Sequence, residues 1–317
     1  MTRPPILCIS ANPAIDRRLR VPGLILGSVS RAQSAQALPG GKAAHVAMSV
    51  KALGTRAVWI GFIGGANGEA VVEGLRQLEI DVVPIKTRSS TRLNVEVIED
   101  SGRITEILEP GSPPDEEERS RMISRLTEGL HNEWRGAPVV ISGSLPPGTP
   151  PEFYKELIVV AHANGSRALL DTSGEALRTC IESKPSFIKP NRSEAEALVG
   201  HRISDFDSAI VAARDAIKRG ARSTAVTLGA EGLIWLESEA GPAWVARPPQ
   251  LQPISTVACG DATVAGFAFA FAEQMAGEKA LRLAAACGAA NCLAKLEGRI
   301  SAADVEALIP RIQISQR

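Results

Sequence analysis

Aromatic side chains are scarce. Seven Phe, four Trp and one Tyr make up 4% of the 317 residues. The core must therefore be filled mainly by Ala, Val, Leu and Ile. Cysteine is also thin: Cys8, Cys180, Cys259, Cys287 and Cys292 are scattered, odd in number and without a C-x-x-C pair. That argues against a disulfide framework or a cysteine zinc site and fits a reducing compartment. Net charge is absent as well, since 35 Lys and Arg balance 35 Asp and Glu. Nothing in the electrostatics points to a nucleic-acid partner. The N-terminal apolar run is too short for a signal peptide. The longest apolar stretch, "ATVAGFAFAFAEQMAG", is interrupted by Glu273 and Gln274 and is too short to span a bilayer. A soluble, cytoplasmic protein with no membrane partner is expected. Both common phosphate-binding fingerprints are missing too: "GGKAA" lacks the upstream Gly and the hydroxyl of a P-loop, and no G-x-G-x-x-G follows a strand.

What is present is an alternation. "ILCIS", "AVWIGFI", "APVVISG" and "RALLDTS" read as strands. "HVAMSVKALG", "GEAVVEGLRQLE", "PEFYKELIVVAHANG", "SEAEALVG" and "DSAIVAARDAIKRG" read as helices, the last with Asp205 or Ser208 as cap. "STAVTLG" and "GLIWLES" pair as strands across "GAEG", and helices are expected over about 261–275 and 279–295. This order predicts an α/β fold with a doubly wound, mostly parallel sheet flanked by helices, in a single domain over 1–317. Two segments, at about 15–41 and 91–111, read as strands without helices, with "EDSGR" as a turn. They predict a small extra sheet, either a lid or a plain extension.

Four stretches carry candidate chemistry. In "STVACGDATVAGF", Ala258, Cys259 and Gly260 run into a helix beginning near Asp261. Free N–H groups and the dipole at a helix start favour an anion. Asp261 there suits a proton acceptor, although on physics alone helix N-capping outranks catalysis. In "ALPGGKAAHVA", Gly40 and Gly41 turn the chain ahead of Lys42. In "FIKPNRSEAEAL", Asn191 and Glu194 stand three apart, suited either to the water shell of Mg²⁺ or to a capping box. "ISGSLPPG" is a loop after a buried-type strand, a place where any α/β fold binds ligands.

Together these stretches resemble the ribokinase-like, PfkB-type carbohydrate kinases. The resemblance is closest to the phosphosugar branch, the 1-phosphofructokinase and tagatose-6-phosphate kinase group. "NPAID", "PGGKAAHVA", "GFIGGANGE", "TRLNV", "SGSLPPG", "LLDTSGEAL", "KPNRSEAEAL", "VTLGAEG" and "TVACGDATVAGF" occur in the family's order over nearly the whole chain. The resemblance implies an ATP- and Mg²⁺-dependent transfer of a phosphoryl group to a hydroxyl of a phosphorylated ketohexose, of the fructose 1-phosphate, fructose 6-phosphate or tagatose 6-phosphate type. It makes Asp261 the base, and the N–H groups of Ala258, Cys259, Gly260 and Asp261 the anion hole. Asp16, Gly40, Gly41, Lys42, His45, Arg92 and Ser142 fall on the substrate side, with Arg92 holding an existing phosphate. Lys189, Asn191, Thr227, Gly229, Gly232, Gly288 and Asn291 fall on the nucleotide side. Asn191 and Glu194 act on Mg²⁺ through water. The helixless segments become a lid, which implies a homodimer.

Four positions depart from the pattern. The usual "GGKGxNVA" reads "GGKAAHVA", placing Ala43 and His45 where Gly and Asn are common, and "GAGD" reads "ACGD". His45 implies an altered substrate contact, and Ala258 is expected to avoid strongly positive φ. The alternatives are a kinase of an unphosphorylated sugar or nucleoside and a non-catalytic sugar-binding protein on the same fold.

Overall fold

The alternating strands close into one large sheet. The computed structural model describes residues 3–317. Among these, ten strands lie in the spatial order Gln313–Gln316, Ala243–Arg247, Leu233–Leu236, Thr224–Thr227, Phe187–Ile188, Ala168–Asp171, Val139–Ser142, Ile6–Ser10, Ala57–Ile63 and Asp81–Lys86. Neighbours from Thr224–Thr227 to Asp81–Lys86 are parallel, and the first three strands pair antiparallel. Ile6–Ser10 and Ala57–Ile63 are buried at every position. Helices cover both faces of such strands, so they read as unbroken apolar runs. Ile6 and Cys8 enter the core on one face, Leu7 and Ile9 on the other.

The "GAEG" hairpin forms as expected. A β-carbon at Gly232 would lie 2.0 Å from the Ala246 carbonyl oxygen, and φ there is 121°, so only glycine fits. The edge strands Asp81–Lys86 and Gln313–Gln316, the strand Ala243–Arg247 and the helix Ala302–Leu308 have no counterpart in the sequence reading.

The few aromatics are concentrated. Phe187, Trp235, Phe267 and Phe271 form one cluster, with Phe267 centred 4.6 Å from Phe187 and 5.2 Å from Trp235. Large rings contribute much burial per residue, and these fasten the helix Cys259–Ala272 to the sheet. That helix is buried on all sides from Asp261 to Ala268, as its apolar sequence requires. It packs between the helices Lys42–Ala52 and Gly277–Leu293. A β-carbon on Gly266 would lie 2.6 Å from Ala284 Cα, so the two backbones touch.

The helixless segments form a separate four-stranded sheet in the order Ser34–Gly40, Ala14–Val21, Arg92–Glu99, Ile104–Leu108. Ala14–Val21 and Arg92–Glu99 run parallel, with Asp16 opposite Asn94. The link 22–33 carries Ile25, Leu26 and Val29 at 67, 90 and 85% exposure. No helix among the described residues is long and apolar enough to cross a membrane.

Candidate active site

The parallel strands end in polar residues. Ser10, Ser142 and Thr227 close three of them, and Lys189 follows Phe187–Ile188 directly. All four line one cleft of about 1470 Å³, roofed by Asp16, Asn94, Glu96 and Leu108 of the small sheet. Ligands of open α/β sheets bind at this end of the strands.

The helix Cys259–Ala272 starts in this cleft, and its cap differs from the sequence expectation in two ways. Asp261 is not the N-cap. Ala258 holds that place, no side chain caps the helix, and Asp261 stands in the first turn, buried at its cleft-lining position. Ala258 also does not avoid positive φ: it is left-handed, at φ 61° and ψ 6°. The left-handed residue turns sharply into the helix, so that successive N–H groups lie at a concave start, an arrangement that favours anions. A residue with a β-carbon adopts it at a cost of about 1 kcal/mol or more. A β-carbon at Gly260 would meet Lys189 Nζ at 3.3 Å, so this glycine lets the lysine lie under the turn.

A second helix, Lys42–Ala52, also begins at the cleft, after Gly41 at φ 87°. From its first turns His45 reaches across. Its Nδ1 lies 3.0 Å from Asp261 Oδ2 and its Nε2 lies 3.6 Å from Asp16 Oδ2. Burial opposes a charge on this ring. The hydrogen bonds and fields of Asp16 and Asp261 outweigh it and push the imidazole up to about 10. The place between two carboxylates thus favours the cationic form of the ring. Asp16 Oδ1 accepts a 2.8 Å bond from Asn94 Nδ2. A β-carbon on Gly40 would lie 1.9 Å from Asp16 Oδ2. Gly40 therefore backs Asp16 and does not itself line the cleft, unlike Gly41, Lys42, His45 and Arg92.

Asp171 was missed as a site residue. It ends the strand Ala168–Asp171 with 1% exposure and holds two lysines, Lys189 Nζ at 3.2 Å and Lys42 Nζ at 3.4 Å. Ser142 Oγ stands 3.4 Å away and donates to it. Burial would raise the carboxyl, but Lys189 and Lys42 outweigh burial and hold it below its ordinary value. Asp171 in turn raises Lys42. A signal existed, since "LLDTS" places a carboxylate at the end of a parallel strand. Asn94 in "TRLNV" was overlooked as well. Behind the cleft lining, Arg18 pairs with Glu96 at 2.9 Å and Glu297 at 3.2 Å.

Arg92 lines the cleft, yet part of its fork is occupied. It donates to the carbonyls of Glu109 at 2.8 Å and Asn12 at 3.1 Å. Asn191 and Glu194 form a capping box: Asn191 Oδ1 accepts from the Glu194 N–H and Glu194 Oε2 from the Asn191 N–H, each at 2.9 Å. Both also line the cleft, with Thr227, Gly229, Gly232 and Gly288. Asn291 departs from its expected place. It does not line the cleft; its Nδ2 donates to the Val257 carbonyl at 2.6 Å and its Oδ1 accepts from the Gly298 N–H at 2.9 Å. It braces the loop leading to Ala258. No group of three or more His, Cys, Asp or Glu among the described residues is arranged for a metal ion. A single carboxylate beside an open cleft still fits Mg²⁺, which keeps several waters and commonly binds substrate phosphates.

The chain is similar to known proteins over nearly its whole length. Over 288 residues the chain is 31% identical to a 1-phosphofructokinase of Vibrio cholerae, covering 90% of this chain and 88% of that one. It is 33% identical to a 1-phosphofructokinase of Xanthomonas campestris over 286 residues, covering 88% of each. The structure of phosphofructokinase-2 from Escherichia coli in complex with fructose-6-phosphate superposes with a TM-score of 0.88 at 30% identity, covering 97% of this chain and 98% of that one. A ribokinase-like chain from Agrobacterium tumefaciens shares the fold, with a TM-score of 0.81, 22% identity and coverage of 97% and 98%. Residues 6–301 match the family described as pfkB family carbohydrate kinase. The chain therefore belongs to the pfkB carbohydrate kinases, enzymes that transfer a phosphoryl group to an alcohol.

Proposed function

We propose that this kinase transfers the γ-phosphoryl group of Mg·ATP to a hydroxyl of a phosphorylated ketohexose, of the fructose 1-phosphate, fructose 6-phosphate or tagatose 6-phosphate type. The observation that carries the proposal is Asp261, a cleft-facing carboxylate in the first turn of a helix whose N–H groups are open to an anion. Its relatives named 1-phosphofructokinase and phosphofructokinase-2 support the acceptor class.

In this reading Asp261 takes the proton of the attacking hydroxyl, and the N–H groups of Ala258 to Asp261 stabilise charge on the phosphoryl group in flight. Asp16 and Asn94 grip sugar hydroxyls, and His45 fixes Asp16 and Asp261 relative to each other. Lys42, held by Asp171, brings positive charge to the substrate side with Gly41 and Ser142. Arg92 holds the existing phosphate. Lys189, Asn191, Thr227, Gly229, Gly232 and Gly288 border the nucleotide. Bound Mg²⁺ would neutralise phosphate charge, with Glu194 and Asn191 reached through its water. The small sheet closes the cleft against water. The exposed Ile25, Leu26 and Val29 suit a second copy's lid and hence a homodimer. A cytoplasmic location accords with unpaired cysteines.

One observation favours a second reading. The bonds of Arg92 to two backbone carbonyls suit a purely structural arginine and an unphosphorylated acceptor. ADP release with Mg·ATP separates the two across fructose 1-phosphate, fructose 6-phosphate, tagatose 6-phosphate, free fructose, free tagatose, ribose and nucleosides. Turnover confined to the phosphorylated ketoses supports the proposal. Turnover confined to free sugars or nucleosides overturns it.

A further inference from the structure

Two of the five cysteines meet inside the cleft. Cys259 is the first residue of the helix Cys259–Ala272, and Cys292 is next to last in the helix Gly277–Leu293. Their sulfurs lie 3.3 Å apart across 33 residues of chain. Both are half-buried and line the cleft, whereas Cys8, Cys180 and Cys287 are buried and do not. A small oxidant in the cleft therefore reaches this pair and not the others.

The pair is poised for chemistry as well as near. The hydrogen bond between the thiols outweighs burial and lowers Cys292 to about 7, while it raises Cys259. The contact thus favours a thiolate on one sulfur with a thiol beside it, as a resolving cysteine must be. Asn291 Nδ2 also donates to Cys259 Sγ at 3.4 Å. Closing 3.3 Å to a disulfide length takes about 1.3 Å of sulfur movement. The two helices already touch at Gly266 and Ala284, which limits how that movement is shared. It falls on the chain ends, including the strained turn at Ala258.

We propose that Cys259 and Cys292 form an oxidation site, at which a hydroperoxide joins them in a reversible disulfide that disables the adjoining anion cradle. The Cys292 thiolate attacks one oxygen of hydrogen peroxide. The O–O bond breaks, Cys292 becomes a sulfenic acid, and the departing hydroxide takes a proton to leave as water. Cys259 sulfur then attacks Cys292 sulfur. The S–O bond breaks as the S–S bond forms, and the departing hydroxide leaves as water with the Cys259 proton. Two thiols have lost two electrons and the peroxide has become two waters. A dithiol reductant reverses the change.

The loss of activity rests on the reaction proposed above; the disulfide does not. The test treats the full-length protein with hydrogen peroxide, blocks remaining thiols with N-ethylmaleimide and maps peptides without reduction. ADP release is measured before oxidation, after it and after dithiothreitol. The expected result is a linked Cys259–Cys292 peptide, a fall in turnover of about tenfold or more, and recovery on reduction. Cys292→Ser, with Cys292→Ala as a second variant, keeps its own starting activity under the same dose. No linked peptide, a linked peptide with unchanged turnover, or equal inactivation of the Cys292 variants would overturn the proposal. Turnover of the untreated enzyme is measured first, so failure of the reaction is not mistaken for failure of the site.

Discussion

His45 Nδ1 stands 3.0 Å from Asp261 Oδ2, and the same ring stands 3.6 Å from Asp16 Oδ2. One imidazole therefore ties the helix start that carries Asp261 to the small sheet that covers the cleft. An uncharged amide at this place could not supply a charge to the two buried carboxylates. His45→Gln leaves Asp16 and Asp261 facing each other without a cation, and removing one partner of such a buried group costs about 3–5 kcal/mol. The effect has a pH signature. The histidine is raised from 6.5 to about 10 in the folded state. Its stabilisation is complete below the unfolded value and fades as pH rises through the folded one. Denaturant unfolding of both proteins from pH 6 to beyond 10 checks this. The gap between them should narrow with rising pH, and a constant gap contradicts the ion triad.

Asp171 holds two ammonium groups, one of them on the buried Lys189. Asp171→Asn removes the carboxylate that both pair with and should lower stability by about 3–5 kcal/mol. Because the folded carboxyl lies below its ordinary 3.8, its contribution is present above that value and is lost as pH falls through the lower folded one. Unfolding curves at neutral and strongly acid pH should show a large difference between the proteins and then a small one.

The left-handed Ala258 makes a prediction opposite to the usual effect of glycine beside a helix. Ala258→Gly removes a penalty of about 1 kcal/mol, while greater freedom of the unfolded chain takes back about 0.4–1 kcal/mol. Stability should change little or rise slightly. Ala258→Val, with a branched β-carbon, should lose clearly more. A Gly variant less stable than the parent by well over 1 kcal/mol would contradict the backbone assigned here.

Much of this was legible in the sequence, for reasons that differ by residue. Buried parallel strands such as "ILCIS" and "AVWIGFI" announce themselves as apolar runs, and the "GAEG" hairpin and the Asp205 cap follow from turn and capping chemistry. The strands Ala243–Arg247 and Gln313–Gln316 did not show, because short strands of mixed composition have no such run. The cleft residues were found through their motifs, and most of them meet in one place. Asp171 was not found, since its importance lies in two lysines 129 and 18 residues away in sequence. Nor did the sequence reveal the Ala258 conformation. Local preference argues against a left-handed alanine, and tertiary packing overrules it at this turn beside the cleft.

Arg92 separates the two acceptor readings. Arg92→Lys keeps a charge but loses the planar fork. If the side chain holds a substrate phosphate, KM for the phosphosugar should rise about 10–100-fold, the scale of a charge-assisted hydrogen bond, with a much smaller change in kcat. Unchanged KM together with lower stability would mark Arg92 as a strut between Asn12 and Glu109.

The most direct measurement is kcat of Asp261→Asn at saturating Mg·ATP and the acceptor that the wild type prefers, with folding verified by its unfolding transition. Asparagine preserves shape and cannot take a proton. The account predicts a fall in kcat of about 10²-fold or more, with the fold intact. A folded variant turning over at close to the wild-type rate would remove Asp261 as the base and, with it, the mechanism proposed for this cleft.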